Sequence, residues 1–434
     1  MAATGASRRI AVIGLDGTPF SFLDKEIGAG NLPNMAALFS RGRFGPLETE
    51  IPTVSSAAWA SFMTGANPGE HGIYGFTDRR PGTYELYFPN YSNLMAEPVW
   101  ERLGRQGRRC CVLNVPSTYP ARPVNGVLVS GFVGPSLERA VYPAEVYDYL
   151  RKAGYRIDVD ASLGRESLDS LIEDLHATLE KRREAFLHFQ ALEDWDLFVP
   201  VFTTTDRLHH FLWKHYEQED PVYAAEFRRF YRRLDAIVGE LVAEMKPDTA
   251  LFMLSDHGFC GIEREVYLNN LLRDRGLLAY ASSQPRTIAD IDPEKTVAYC
   301  LDPGRIYLNL AGREPGGIVQ PQDAGRLLEE LAGMLVELSD PDTGEPMLER
   351  VARAGELYSG PQAAAAPDLV AVPNRGFDFK GSMMHPEWLG RTHLEGMHTY
   401  DDAFFFSGAG AGEKPPAHIR DLVAFMLEAA GARE

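Results

Sequence analysis

Oxygen and nitrogen donors gather in four short segments. Asp16 closes IAVIGLDG (10–17), and Asp206, His209 and His210 fall in TTTDRLHH (203–210). Asp256 and His257 form LSDHG (254–258), and His393 and His398 sit in THLEGMH (392–398). A carboxylate at a strand end often caps a helix, and a histidine is often a satisfied core or surface group, so each segment alone says little. Asp-His-Gly is more pointed, because glycine permits a tight turn where two ligand types stand side by side. Together, three Asp and two or three His supply two clusters of mixed nitrogen and oxygen ligands. Zinc takes such sets, whereas magnesium and calcium want nearly all oxygen. Two adjacent metal ions can clamp an in-line displacement at phosphorus, one ionising the nucleophile and the other holding the leaving oxygen. Ser55 opens an apolar helical segment. Its hydroxyl either caps that helix or attacks an anion held at the helix N-terminus.

These groups need elements that end where the donors begin. Residues 8–17 read as a strand buried on both faces, because its apolar run is continuous rather than alternating. Further strands are expected over 45–51, 108–116, 124–132, 196–206, 249–258 and 402–410. Helices are expected over 31–42, 55–65, 99–107, 167–192, 223–245, 322–338 and 418–430. The segment VAYCLDPGRIYLNL (297–310) predicts a hairpin turning at Asp302-Pro303-Gly304. Strands alternating with helices and ending in acidic or His-containing turns predict an α/β sheet with its site at the C-terminal edge. Residues 259–390, rich in Pro and Gly, read as an insertion over that site.

The chain has 434 residues, 45% hydrophobic and 24% charged, enough for a sizeable core. Its net charge of −18 argues against a general nucleic-acid polymer binder. Four cysteines are too few for a disulfide scaffold, and buried free thiols suit a reducing cytoplasm. No apolar run is long enough to span a membrane, and Met1–Arg9 lacks the apolar stretch of a signal peptide.

The ordered set AVIGLDG (11–17), PTVSSAAWASFMTGANPGEHGI (52–73), TTTDRLHHFLW (203–213), LSDHGF (254–259) and GMHTYDDAFFFSG (396–408) resembles the alkaline phosphatase superfamily, in its type I phosphodiesterase/nucleotide pyrophosphatase branch. The resemblance implies a three-layer α/β/α sandwich with a mostly parallel central sheet and an inserted cap subdomain. A metal-binding core would take 1–260 and 391–434, with a partial substrate-side insertion around 75–195, and a cap would take 261–390. It also implies two divalent ions, zinc by preference. Asp16, Asp256 and His257 match the ligands of the ion that binds the nucleophile; Asp206, His210 and His398 match those of the second. Ser55 falls at the nucleophile position, with Ser56 as the fallback. His209 and His393 are the rival ligands, and His71 is expected to be structural. The implied activity is that of a phosphodiesterase/nucleotide pyrophosphatase, hydrolysing a phosphorylated small molecule, a nucleotide among the candidates, through a phosphoseryl intermediate. A phosphomonoesterase or phosphonate hydrolase on the same site, and a non-catalytic metal-binding protein of the same fold, are the alternatives.

Three departures bear on substrate. The nucleophile is Ser where the branch usually has Thr. Ala57 stands where the pattern has Pro. Tyr74-Gly75-Phe76 stands where the nucleotide pyrophosphatases carry a phosphate-binding Asn. No equivalent of the phosphoryl-gripping Arg of monoesterases is recognisable, and the Pro and Arg of the sulfatase pattern are absent.

Overall fold

The computed structural model describes residues 9–192, 194–408 and 415–431. Eight strands form the central sheet: β1 (Arg9–Leu15), β2 (Gly42–Leu47), β3 (Cys110–Val115), β4 (Gly126–Ser130), β5 (Val141–Tyr142), β6 (Leu197–Phe202), β7 (Thr249–Leu254) and β8 (Ala403–Gly408), in the order β2-β8-β7-β1-β6-β3-β4-β5. The five inner strands are mutually parallel, and the antiparallel pairs lie toward the edges. The last two residues of the strand expected over 402–410 lie outside the described residues.

Continuous apolar strands bury both faces. Along β1, Ala11, Ile13 and Leu15 enter one core while Ile10 and Val12 enter the other. The same alternation sends Cys111 to the first and Cys110 to the second. Helices Phe20–Gly28, Leu168–Leu192 and Tyr223–Ala243 cover the first face, and Ser55–Thr64 (α1) and Leu422–Ala429 cover the second. The fold is therefore the expected α/β sandwich around a mostly parallel sheet. All four cysteines are buried and free. No helix among the described residues is long and apolar enough to cross a membrane.

One element differs from the sequence reading in a way that matters. The strand expected to run to Asp206 stops at Phe202, and a helix, α2 (Thr204–Glu217), begins at once. Asp206 thus lies in a first helical turn, where the exposed N–H groups favour an anion, and His210 follows on the same face.

Residues 264–390 carry their own apolar cluster, including Leu268, Tyr299, Leu308, Leu335 and Phe379. Strands Ala298–Leu301 and Arg305–Leu308 form the expected hairpin about Asp302-Pro303-Gly304. They join Leu369–Pro373 and Leu348–Arg353 in a four-stranded sheet. This hairpin docks onto the sandwich through Arg305, which is fully buried and pairs with Asp78. Its guanidinium packs on Gly75 so closely that a Cβ there would overlap it. The Tyr74-Gly75-Phe76 departure thereby has a packing reason: Gly75 makes room for the cation that neutralises Asp78.

Candidate metal centre and nucleophile

Parallel register assembles the acids. β1 lies between β6 and β7, with Leu15 opposite Phe202 and Gly14 opposite Leu254. The residues just past those strand ends, Asp16, Thr203–Asp206 and Asp256-His257, therefore emerge side by side. Gly17, with φ +65°, turns the chain after Asp16 and donates its N–H to Asp256 Oδ1 at 3.0 Å. A short antiparallel pair, Gly258–Gly261 with Gly396–Thr399, sets His398 opposite Phe259 and so beside His257. All seven sequence-predicted residues converge here.

Ser55 is the first residue of α1. The N-cap is Val54 and no side chain caps the helix, so the Ser55 hydroxyl is not used that way. Its Oγ lies 3.0 Å from His257 Nε2. That nitrogen lies 3.4 Å from Asp256 Oδ2 and 3.8 Å from both Asp16 Oδ1 and Asp206 Oδ1. On the other side, His398 Nε2 is 3.1 Å from His210 Nε2 and 3.2 Å from Asp206 Oδ1, and His210 Nε2 is 3.4 Å from the same oxygen. Asp206 stands between the two groups rather than wholly in the second.

Hydrogen-bond chemistry makes these contacts informative. Nδ1 of His257, His210 and His398 faces the carbonyl of Gly258, Gly396 and Thr53, at 3.0, 3.0 and 3.2 Å. A carbonyl only accepts, so each Nδ1 carries hydrogen, and in the neutral ring each Nε2 is a bare lone pair. Two such lone pairs face one another across 3.1 Å, beside a carboxylate oxygen. Asp16 Oδ1, Asp206 Oδ1 and Asp256 Oδ2 are buried without a hydrogen-bond donor. Acceptors converging with no donor ask for a cation. Ligands about 2.0–2.1 Å from one tetrahedral ion sit about 3.3 Å from each other, which the outer trio matches. Two overlapping groups, Asp206–His210–His398 and Asp16–Asp206–His257, have the spacing to hold an ion.

Titration tells the same story. Burial, then the charges of Asp256 and Asp206, push Asp16 well above the usual carboxylate range. Burial raises Asp256 to about 7, only partly offset by the Gly17 N–H. Burial lowers His210 to about 4 and holds His257 well below its ordinary value. Asp206, although buried, is held low by the neighbouring imidazoles and Arg207. Empty of cations, the site cannot keep all three carboxylates charged.

The rivals are occupied elsewhere. His209 is fully buried, with Nδ1 on the Gly17 carbonyl at 2.9 Å and Nε2 on the Tyr231 hydroxyl at 2.7 Å. His393 meets Arg165 at 3.2 Å on the exposed side of the molecule. His71 pairs with Ser61 Oγ at 3.0 Å inside the fold. Ser56 is buried in α1. Of Trp59, Tyr74, Phe76 and Trp213, Phe76 lines the cavity beside the site, as does Tyr400 of the last motif.

Two residues lie inside the matched motifs, but their supporting roles are not legible from them. Trp59 is fully buried and donates its indole N–H to Asp16 Oδ2 at 3.0 Å. Arg207 stacks over Phe132 at 4.3 Å and donates to Asp158 Oδ2 at 2.8 and 3.1 Å. It also stands 3.4 Å from Asp206 Oδ2. The available signal was its place directly after a ligand candidate on a helix, one step off the ligating face.

Solved structures share this architecture. A phosphonoacetate hydrolase from Sinorhizobium meliloti 1021, in complex with phosphonoacetate, superposes with a TM-score of 0.66 at 17% identity, covering 98% of this chain and 96% of that one. Murine ectonucleotide pyrophosphatase/phosphodiesterase 5, an inactive form in complex with AMP, gives 0.58 at 14% identity with the same coverage. At such identities the likeness is one of fold. No curated protein matches the chain in sequence. The profile described as type I phosphodiesterase/nucleotide pyrophosphatase matches residues 10–401, and the chain belongs to that family.

Proposed function

We propose that the chain is a metal-dependent phosphodiesterase in which Ser55 attacks phosphorus. The observation that carries this reading is the convergence, beside a Ser55 hydroxyl 3.0 Å from His257 Nε2, of three donorless buried carboxylate oxygens and the two facing lone pairs of His210 and His398. Asp16, Asp256 and His257 would hold one divalent ion and Asp206, His210 and His398 a second, with Asp206 close to both. Mixed nitrogen and oxygen donors favour zinc. When bound, such ions lower the pKa of the nucleophile and draw charge from the phosphoryl oxygens.

The chain's own residues do the rest. Ser55 Oγ loses its proton to solvent and forms the new O–P bond while the P–O bond to the leaving group breaks; the departing alkoxide takes a proton from solvent, and water later cleaves the phosphoseryl ester to release the phosphate monoester and restore the serine hydroxyl. The N–H groups of Ser55 and Ser56 at the start of α1 suit a phosphoryl oxygen, those of Ala57 and Ala58 being bonded to the Val54 carbonyl. Arg207 is committed to Asp158 and Asp206, so it is poorly placed to neutralise a monoester dianion; a diester carries one charge less. Residues 261–390 form a cap that walls the cavity beside His210 and His398.

The test compares 4-nitrophenyl monoester and diester hydrolysis, with and without chelator, in wild type and Ser55→Ala. The diester should be the better substrate. Chelation should abolish turnover and zinc restore it, and the variant should lose roughly a thousandfold or more in kcat. Full turnover after chelation, or in the variant, overturns the reading. Carbon–phosphorus hydrolysis is the second reading, favoured by the phosphonoacetate complex of the similar structure; phosphonoacetate itself is the probe.

A further inference from the structure

A cavity of about 330 Å³ opens beside the outer histidines. His210 and His398 line it, as do Thr53 and Val54 just before Ser55, whereas Asp16, Asp256 and His257 do not. A group leaving from the outer side of phosphorus would enter this space. The walls are largely apolar: Ile51, Val54, Phe76, Val370, Val372 and Met397 contribute. The remaining walls bring Asp302, Glu349, Asp378 and Asp401 against only Arg375 and Lys380.

Both of those cations are already engaged. Lys380 Nζ pairs with Asp378. Arg375 Nη2 pairs with Asp401 at 2.9 Å, and Nη1 lies 3.9 Å from Asp402. Asp302 shares the field of Lys380 with Asp378, so that one cation serves two carboxylates. Asp302 accepts from the Gly381 N–H, and Glu349 accepts from the Tyr400 hydroxyl at 2.6 Å. Beyond the reach of the cation that His210 and His398 would hold, an anionic substituent would meet an excess of negative charge and lose water in an apolar enclosure.

Resting on the phosphodiesterase reading above, we propose that this cavity selects the leaving alcohol of the substrate. That alcohol has an apolar body and carries no negative charge. An alkyl, aryl or ammonium-bearing alcohol fits; pyrophosphate, a nucleotide leaving through its phosphate, or a carboxylate does not.

The test uses three methyl aryl phosphodiesters that differ only in the leaving phenol: 4-nitrophenol, 3-carboxy-4-nitrophenol and the methyl ester of the latter. Each rate is normalised to the uncatalysed hydrolysis of the same compound. The carboxylate-bearing diester should show kcat/KM about tenfold or more below its methyl ester. Glu349→Gln, at an exposed position, should narrow that ratio by about threefold, and Asp378→Asn should narrow it further if it folds. Equal or faster cleavage of the carboxylate compound overturns this inference while leaving the diesterase reading intact. An unchanged ratio in Glu349→Gln overturns it as well. Failure to hydrolyse any of the three overturns the diesterase reading and this inference with it.

Discussion

The inner group, Asp16, Asp256 and His257, and the outer group, Asp206, His210 and His398, use the same donor types in opposite settings. Asp256 and His257 are completely buried and Asp16 nearly so. The side chains of His210 and His398 are about a fifth exposed and border the cavity. Adjacent parallel strands place the inner group, so the hydrogen-bond register of the sheet fixes its spacing. A helix and a short antiparallel strand pair place the outer group, and Asp206 ties it to the end of β6. The difference suggests a division of labour. On the proposed mechanism the dry side would serve the serine hydroxyl, and the side that borders the cavity would serve whatever leaves.

The largest effect should come from removing one ligand on each side. Asp256→Asn should lower kcat/KM by about a thousandfold, equally for a 4-nitrophenyl and a methyl leaving group, because it impairs the attack itself. His398→Ala should cost less with 4-nitrophenol, about a hundredfold, and clearly more with methanol, whose oxygen needs more help to depart. Steady-state rates on the two diesters decide the matter. If the outer variant were as insensitive to the leaving group as the inner one, the division would fail.

A second effect, on stability, separates protein with and without metal. In the metal-free chain Asp256 titrates at about 7 and Asp16 well above its ordinary range, both because of burial. These folded-state values exceed the unfolded ones, so the folded chain holds protons that the unfolded chain releases. That contribution is present at low pH and is lost as pH rises through the folded values. The depressed imidazoles of His210 and His257 act in the opposite direction, but only below about pH 6.5, where an unfolded histidine begins to charge. Chelated protein should therefore lose about 1–3 kcal/mol of unfolding free energy between pH 6.5 and 8. Zinc-loaded protein should lose much less, since the bound cation keeps the carboxylates charged in the folded state. Denaturant titrations at the two pH values measure both slopes, and equal slopes would show that the buried acids are not the seat of the charge problem.

How much of this was written in the sequence follows from the kind of spacing involved. The inner group was legible because each donor directly follows an apolar run that can only be a buried strand. The outer group was half legible: Asp-x-x-x-His is helical spacing, yet the polar run TTTDRLHH concealed α2 behind an expected strand. His209 and His210 both follow Asp206 closely, and only packing shows that His209 is spent on Gly17 and Tyr231. Trp59 lies in the core, but its bond to Asp16 spans 43 positions of chain and leaves no local pattern. Arg305 and Gly75 meet across an even longer interval, so the departure at 74–76 was visible while its cause was not.

The smallest effect is also the most selective. Of the two groups Trp59 bonds the inner one, through the indole donor on Asp16 Oδ2, while the other oxygen of that carboxylate has no donor. Gly14 gives the indole its space, since a Cβ at that position would lie 2.6 Å from Trp59 Cη2. Trp59→Phe keeps most of the packing but removes the donor, so Asp16 gains a second unsatisfied oxygen and a freer rotation. Loss of such a supporting bond typically weakens a metal site by about 10-fold to 100-fold. Zinc titration calorimetry should resolve one weakened site and one unchanged site, with kcat recovered at saturating zinc. Equal weakening of both sites would mean that Asp206, which approaches His257 and His398 alike, ties the two groups into one cooperative unit. The inner and outer settings would then be two faces of a single dinuclear site rather than separate devices.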